Sequence, residues 1–193
     1  VVYDLGCSTG NTLYKLRDTL ETHEIKGVKL IGIDSSPPMC ARAEDRLGKG
    51  PSSRGQVAIR CADLRDVHLT SATVVIMNYT LQFLRPQDRA PILDRIYQAL
   101  LPGGILIVSD KTLQSSTAAS RAFAEIYYDF KRSHGYTELE IAQKREALEN
   151  VLIPYRDEEE LALLRGVGFK SVDTFFAWCN FNSYLCIKSE LPH

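Results

Sequence analysis

Long apolar runs are missing from this chain. None approaches the roughly 20 residues that a bilayer-spanning helix needs, and no basic stretch followed by a short apolar one offers a secretion signal. Charge imbalance is missing too: 23 Lys and Arg face 24 Asp and Glu, for a formal net charge of −1, which excludes a protein that grips nucleic acid by its phosphates alone. Metal-ligand spacing is absent, since the 4 histidines form no cluster and no H-x-x-x-H. The five cysteines (Cys7, Cys40, Cys61, Cys179, Cys186) are odd in number, scattered and without a C-x-x-C pair. That usage fits reduced thiols in a cytoplasmic protein, not a disulfide framework or structural zinc. No repeat or low-complexity tract occurs, and only 47–55 (LGKGPSSRG) reads as a flexible surface loop. What is present is 193 residues with 45% hydrophobic and 24% charged content, the make-up of one globular domain over 1–193 with its own core.

Short apolar runs alternate with helical patterns through the first two thirds. Residues 1–5 are strand-like and end in Gly6-Cys7-Ser8-Thr9-Gly10, after which Leu13, Leu16 and Leu20 mark a helix. A second strand is expected over 28–33, followed by a helix start with Ser36 as cap and Pro37 at the first helical position. Strands three and four are expected at 56–61 and 72–78. A helix runs over 86–100, Pro102-Gly103-Gly104 stops it, and strand five covers 105–108. Beyond it lies an amphipathic helix at 116–134, with Phe123, Ile126, Tyr127 and Phe130 on one face. Thr137 and Glu140 form a capping box for a helix to about 151, and a third helix covers 157–166. Strands at 169–178 and 184–188 are joined tightly and therefore antiparallel. The expected fold is α/β, Rossmann-like: a mostly parallel seven-stranded sheet with a C-terminal antiparallel hairpin and a helical insertion after strand five, the layout of class I methyltransferase-like domains.

Asp4-x-Gly6-x-x-x-Gly10, after a strand and before a helix, is an abbreviated nucleotide-binding fingerprint. Glycine permits the tight turn and close ligand approach, and the helix N-terminus favours an anion. Gly6 to Gly10 also satisfies G-x-S-x-G, the nucleophile elbow of α/β-hydrolases, with Ser8 as nucleophile. Against this, no strand precedes the turn to supply an oxyanion hole. His134 follows a helix of its own and His193 is the terminal residue, so a triad has no good histidine.

Asp34 closes the second strand about two dozen residues past Gly10, where a carboxylate binds ribose hydroxyls. Asp63 closes strand three and can accept from an adenine amino group, while the Leu64 N–H offers a ring nitrogen its donor. Asn78 ends strand four at the same edge. Polar residues at successive strand ends point to an adenosine-containing ligand in the crevice outside that edge. Arg145 lies amid Ile141, Leu148 and Leu152 at helical spacing, where a guanidinium is costly unless satisfied. Two readings stand: a structural pair with Glu149, and a fork for a carboxylate ligand. Lys111 and Lys144 add positive charge nearby.

Several stretches together resemble carboxy-S-adenosyl-L-methionine synthases. They are Val2-Tyr3-Asp4-Leu5-Gly6-Cys7-Ser8, Ile33-Asp34-Ser35-Ser36-Pro37, Asn78-Tyr79-Thr80-Leu81-Gln82-Phe83-Leu84 and Asp129-Phe130-Lys131-Arg132. Gly135-Tyr136-Thr137-Glu138-Leu139-Glu140, Gln143-Lys144-Arg145, Leu148-Glu149-Asn150-Val151 and Asn180-Phe181 belong with them. The resemblance implies an enzyme that converts S-adenosylmethionine and prephenate to carboxy-S-adenosylmethionine and phenylpyruvate. The product would serve a partner enzyme that builds 5-oxyacetyl uridine at the tRNA wobble position, with no direct nucleic-acid contact here. It further implies that Gly6, Cys7 and Ser8 line the methionine moiety and that Asp34 and Ser35 hold the ribose. Asp63 and Leu64 would hold the adenine, Asn78 would lie near the sulfonium, and Arg145 would be the catalytic arginine on the added carboxylate, reaching a neighbouring subunit's site in a homodimer.

The chain departs from the family's pattern at Asp110, where glutamate precedes the lysine, at Thr112, where an aromatic follows it, and at Ile153-Pro154-Tyr155-Arg156, a more polar segment in the family. An amino-terminal helical segment with a lid-like role is expected to be missing from 1–193. The competing expectations are a conventional S-adenosylmethionine-dependent methyltransferase acting on a small molecule or tRNA, and a non-catalytic adenosyl-ligand binding module.

Overall fold

The computed structural model describes residues 1–48, 56–149 and 151–189. Strand β1 (Val2–Leu5) is buried at every position, as a strand covered on both faces must be. It pairs in parallel with β2 (Lys29–Asp34) on one side and β4 (Ala72–Asn78) on the other. Strand β3 (Gln56–Cys61) extends the sheet beyond β2, and β5 (Leu100–Lys111) extends it beyond β4, both in parallel. The hairpin of β6 (Ser171–Trp178) and β7 (Phe181–Ile187) completes it, β7 running antiparallel to β5. Among the described residues the sheet therefore has seven strands in the order β3-β2-β1-β4-β5-β7-β6. The chain starts in the middle, winds to one edge and returns, so the topological switch point, where open sheets bind ligands, falls between β1 and β4.

The pleat sends neighbouring β1 side chains to opposite cores. Val2 joins Leu13, Leu30 and Ile76, beneath α1 (Asn11–Thr22) and α2 (Pro37–Leu47). Tyr3 joins Ile31, Met77, Leu93 and Leu164, beneath α3 (Pro86–Ala99) and α6 (Asp157–Val167). Between β5 and α6 lie α4 (Thr117–Ser133) and α5 (Glu138–Glu149). Local chemistry starts both. The Ser116 hydroxyl accepts the Ala119 N–H at 3.1 Å. The Glu140 N–H donates to Thr137 Oγ1 at 3.2 Å while Glu140 Oε2 accepts the Thr137 N–H at 2.8 Å. No α4 residue is fully buried; its Phe130 ring instead packs against Trp178 and its Tyr127 ring against Phe181, each at 4.9 Å.

Three local expectations need correction. Ser36 occupies the N-cap of α2 and Pro37 its first turn, but the Ser36 side chain makes no capping bond. Asp34 organises this start instead, accepting the Ser36 N–H at 2.9 Å. Leu100 is not the last helical residue but the first of β5, opposite Ala72, and Pro102-Gly103-Gly104 lies inside the strand as an irregularity that carries the register from Ala72/Leu100 to Val74/Ile105. The β7 end holds this bulge: the Gly103 N–H donates to the Lys188 carbonyl at 3.0 Å and the Lys188 N–H to the Gly104 carbonyl at 2.9 Å. Finally, α5 ends at Glu149, so Leu152 lies beyond the helix. The loop expected at 47–55 lies, from 49 onward, outside the described residues, as do Asn150 and His193.

Candidate functional site

The turn after β1 can be built only with glycine at its first position. Gly6 has φ +77°, and a Cβ there would sit 2.3 Å from Thr80 Oγ1. The turn is tied downward by the Gly6 and Cys7 N–H groups, which donate to the Ile33 carbonyl at 2.7 and 3.0 Å. It is tied sideways by the Ser8 N–H, which donates to Asp34 Oδ2 at 2.8 Å. Ser8 itself adopts φ +49°, a conformation that non-glycine residues hold only under constraint.

Above this turn opens a cleft of about 900 Å³. Gly6, Ser8, Asp34 and Ser35 line it from the ends of β1 and β2, and Asp63, Leu64 and Asn78 from the ends of β3 and β4. The strand-end carboxylates and the glycine turn that the sequence singled out thus share one cavity. Cys7 does not line it: its side chain is buried with Leu13 and Leu30 beneath the turn, and its N–H is taken by Ile33. Asp63 is held by Arg65, whose Nε and Nη2 donate at 3.0 and 2.6 Å; those bonds and the Arg65 backbone N–H bring the carboxyl down to about 2. Asp4, 2% exposed, behaves oppposite to it: burial, with Asp34 nearby, pushes its carboxyl up to about 7. Asn78 Nδ2 donates to Thr12 Oγ1 at 3.4 Å.

A second cavity, about 730 Å³, adjoins the cleft, and Tyr79 and Phe83 line both. Tyr79 stands at the junction with φ +55°, its N–H donating to the Ser109 carbonyl at 2.6 Å and its ring edge-on to Phe181 at 5.8 Å. The walls carry Tyr127, Phe130, Trp178 and Phe181. Four cationic side chains enter: Lys111, Lys131, Lys144 and Arg145, against Glu149. Burial lowers the Lys111 ammonium, and burial together with Lys144 and Lys111 lowers that of Lys131, which lies 4.5 Å from the Tyr127 ring centre. A hydrocarbon-walled chamber with this charge suits an anionic, flat-bodied molecule.

Arg145 therefore lies in the second cavity, not in the cleft. It is exposed, and among the described residues it makes no ion pair, with Glu149 or otherwise. Of its expected apolar neighbours Ile141 is buried and Leu148 half-buried. The sequence offers Tyr127 and Phe130 only as one helix face, and Tyr79, Lys131 and Phe181 only within the family-like stretches, not as residues of a site. Only the four-residue spacing of Tyr127 and Lys131 on one helix face could have flagged them; the rest meet because α4 docks on the distant hairpin. Among the described residues no cluster of three or more His, Cys, Asp or Glu side chains could hold a metal ion, and no helix is long and apolar enough to cross a membrane.

Residues 3–106 match a family described as a methyltransferase domain. The fold is shared with the S-adenosylmethionine-dependent methyltransferase SibL in its apo form (TM-score 0.65, 16% identity, 98% of this chain and 50% of that one). It is shared equally with a DhpI–SAH complex (TM-score 0.65, 16% identity, 97% and 76%). Sequence likeness goes further. Carboxy-S-adenosyl-L-methionine synthase of Desulfotalea psychrophila is 46% identical over 190 residues, 98% of this chain and 76% of that protein. Those of Helicobacter hepaticus and of Aliivibrio fischeri strain MJ11 are each 42% identical over 97% of this chain and 76% of theirs. Similarity of that degree over nearly every residue means that the chain belongs to the carboxy-S-adenosyl-L-methionine synthase family.

Proposed function

We propose that this chain carries out the carboxylation of S-adenosylmethionine with prephenate as carboxyl donor, releasing phenylpyruvate. The observation that carries the reading is the basic, aromatic-walled cavity meeting the adenosyl-type cleft at Tyr79 and Phe83. A conventional methyltransferase needs the cleft; a carboxyl donor that is itself a dicarboxylate on an unsaturated ring also needs cations beside a flat apolar wall.

The residues present fit the cofactor. In the cleft Asp34 and Ser35 would take the ribose hydroxyls, and Asp63 with the Leu64 N–H the adenine edge. The Gly6 to Ser8 turn would take the methionine portion, with Cys7 supporting it from below. Asn78 would stand near the sulfonium. When bound, S-adenosylmethionine supplies a methyl group made acidic by the adjacent sulfonium. No histidine base is needed, because prephenate loses carbon dioxide and a hydroxyl as it aromatises, and that hydroxyl can take the proton. The work left to the side chains is orientation and charge stabilisation. Lys111, Lys131 and Lys144 would hold the carboxylates of the donor, and Arg145 the carboxyl group being transferred, bidentately. In a homodimer, the exposed Arg145 would be free to reach the neighbouring subunit's site. The product would feed a cytoplasmic enzyme that modifies the tRNA wobble uridine.

The test is direct. Full-length protein is incubated with S-adenosylmethionine and prephenate, and the small molecules are analysed by mass spectrometry. An adenosyl product heavier by one carbon dioxide, formed together with phenylpyruvate, is expected. Unmodified cofactor with prephenate left intact would return the chain to the conventional methyltransferase reading.

A further inference from the structure

Helix α3 buries an arginine that neither cavity uses. Arg89 lies on the same stripe as Ile92, Leu93 and Ile96, and it is 0% exposed. A guanidinium in that position is strongly disfavoured unless its donors are met. Here Nε donates to the Leu84 carbonyl at 3.1 Å and Nη2 to the Ile153 carbonyl. Nη1 alone lacks a hydrogen-bond partner, with Glu160 Oε1 3.9 Å away, and the guanidinium carbon stands 4.1 Å from the centre of the Tyr155 ring.

The two carbonyls belong to segments that are far apart in sequence and have little structure of their own. Leu84 ends the short 3₁₀ helix Leu81–Phe83; Ile153 sits in the connection between α5 and α6. Phe83 and Leu84 line the cleft, and Gln82, Phe83, Leu152 and Pro154 line the basic cavity. One planar fork thus grips the backbone of two segments, one with residues in the walls of both cavities and the other with residues in the wall of the basic cavity, while Arg89 itself lines neither. Gln82 carries the grip onward. Its carbonyl accepts the Ile153 N–H at 2.9 Å, its Oε1 accepts the Lys111 N–H at 3.0 Å, and its Nε2 donates to the Tyr79 carbonyl at 3.3 Å. Nearby, the Leu113 N–H donates to the Tyr155 carbonyl at 2.8 Å.

We infer that Arg89 is a positioning residue for carboxyl transfer, fixing the 81–84 turn and the 151–156 segment against each other so that the two bound molecules meet at one distance. The inference rests on the function proposed above. Transfer between two small molecules requires reacting atoms within about 3–3.5 Å, and a displacement of about 1 Å can cost about 100-fold in rate. Lysine cannot replace the fork, because a single ammonium does not present two diverging in-plane donors. Asp110 and Glu160 are both 0% exposed with carboxylate oxygens lacking hydrogen-bond partners, and burial pushes both carboxyls up while Arg89 opposes the rise.

The experiment compares full-length wild type with Arg89→Lys, measuring S-adenosylmethionine affinity, steady-state kinetics with prephenate, and backbone amide exchange. The expected result is a fall in kcat of about 10- to 100-fold, with cofactor Kd and prephenate KM each changed less than about threefold. Exchange should quicken at Lys111, Leu113 and Ile153 and stay slow at Ile31 and Val75. If Arg89→Lys does not fold, Tyr155→Leu, which leaves the fork but removes the ring beside it, should lower kcat about 3- to 10-fold with the same pattern. A variant with a lower Tm but unchanged kcat per folded molecule and unchanged exchange at those three amides overturns the inference. Failure of the wild type to make the carboxylated cofactor would overturn the proposed function instead, and the amide exchange would still decide for or against the Arg89 clamp.

Discussion

The Ser8 N–H and Asp34 Oδ2 meet at 2.8 Å, joining the turn after β1 to the end of β2. With the Ser36 N–H on the other oxygen, the carboxylate is held between two backbone donors at the mouth of the cleft. Hydrogen bonds to a charged acceptor contribute about 1.5–3 kcal/mol each. Asp34→Asn replaces one acceptor with an NH₂ group that must face an N–H, and it removes the charge offered to the ribose. We expect the Kd for S-adenosylmethionine to rise by at least about tenfold, with a lower Tm, by calorimetry and circular dichroism. Equal affinity in the two proteins would remove Asp34 from the cofactor site.

Gly6 and Thr80 set a second test. An alanine Cβ at residue 6 would meet Thr80 Oγ1 at 2.3 Å, Cγ2 at 2.6 Å and Cβ at 3.0 Å, at a φ of +77° that alanine disfavours. Gly6→Ala should destabilise the protein by about 2–3 kcal/mol or more and weaken cofactor binding. Adding Thr80→Ala removes the two closest contacts but not the backbone strain of about 1 kcal/mol. The double variant should therefore recover most, not all, of the lost stability in urea unfolding. A double variant no more stable than the single one would show that the close approach of Thr80 is not what excludes a side chain.

How much of this could be read from the chain depends on how local each cause is. The capping box at Thr137 and Glu140, the alternation of strands and helices and the carboxylates at strand ends are set within a few residues, and the structure contains them. Pro102-Gly103-Gly104 has a local reading as a stop, yet it lies inside β5, because pairing of Leu100 with Ala72 and of Gly103 with Lys188 outweighs the breaker signal. Cys7 shares a turn with Gly6 and Ser8, but the backbone sends its side chain beneath the cleft. Strand order and the second cavity were out of reach, since Tyr127 meets Phe181 only after α4 folds back over the hairpin.

Asp4 makes stability depend on pH. Its folded carboxyl titrates at about 7 because of burial, against an ordinary value of 3.8. Between those values the folded protein keeps a proton that the unfolded chain has released, so this group makes stability fall as pH rises from about 4 to about 7 and stay level above. Asp4→Asn has no such proton to lose. Relative to wild type, the variant should gain about 1–4 kcal/mol on going from pH 4.5 to pH 8, measured by urea unfolding. Parallel stability curves for the two proteins would mean that Asp4 is ionised in the fold.

Arg145 separates the chemistry from cofactor binding. It lies in the basic cavity, away from the residues that line the cleft, and among the described residues no carboxylate neutralises it. Its removal should therefore leave S-adenosylmethionine affinity within about twofold while lowering kcat/KM for carboxylation by about 100-fold or more, the scale of losing a bidentate charge contact made in the transition state. Arg145→Lys keeps the charge but not the fork and should recover only a small part of the activity. Lys131→Gln gives the contrast: a donor-binding lysine should raise the KM for prephenate by about tenfold with kcat largely kept. Rate assays with phenylpyruvate as readout distinguish the two patterns. A kcat loss at Lys131 with Arg145→Ala at full turnover would exchange the roles assigned to these two residues.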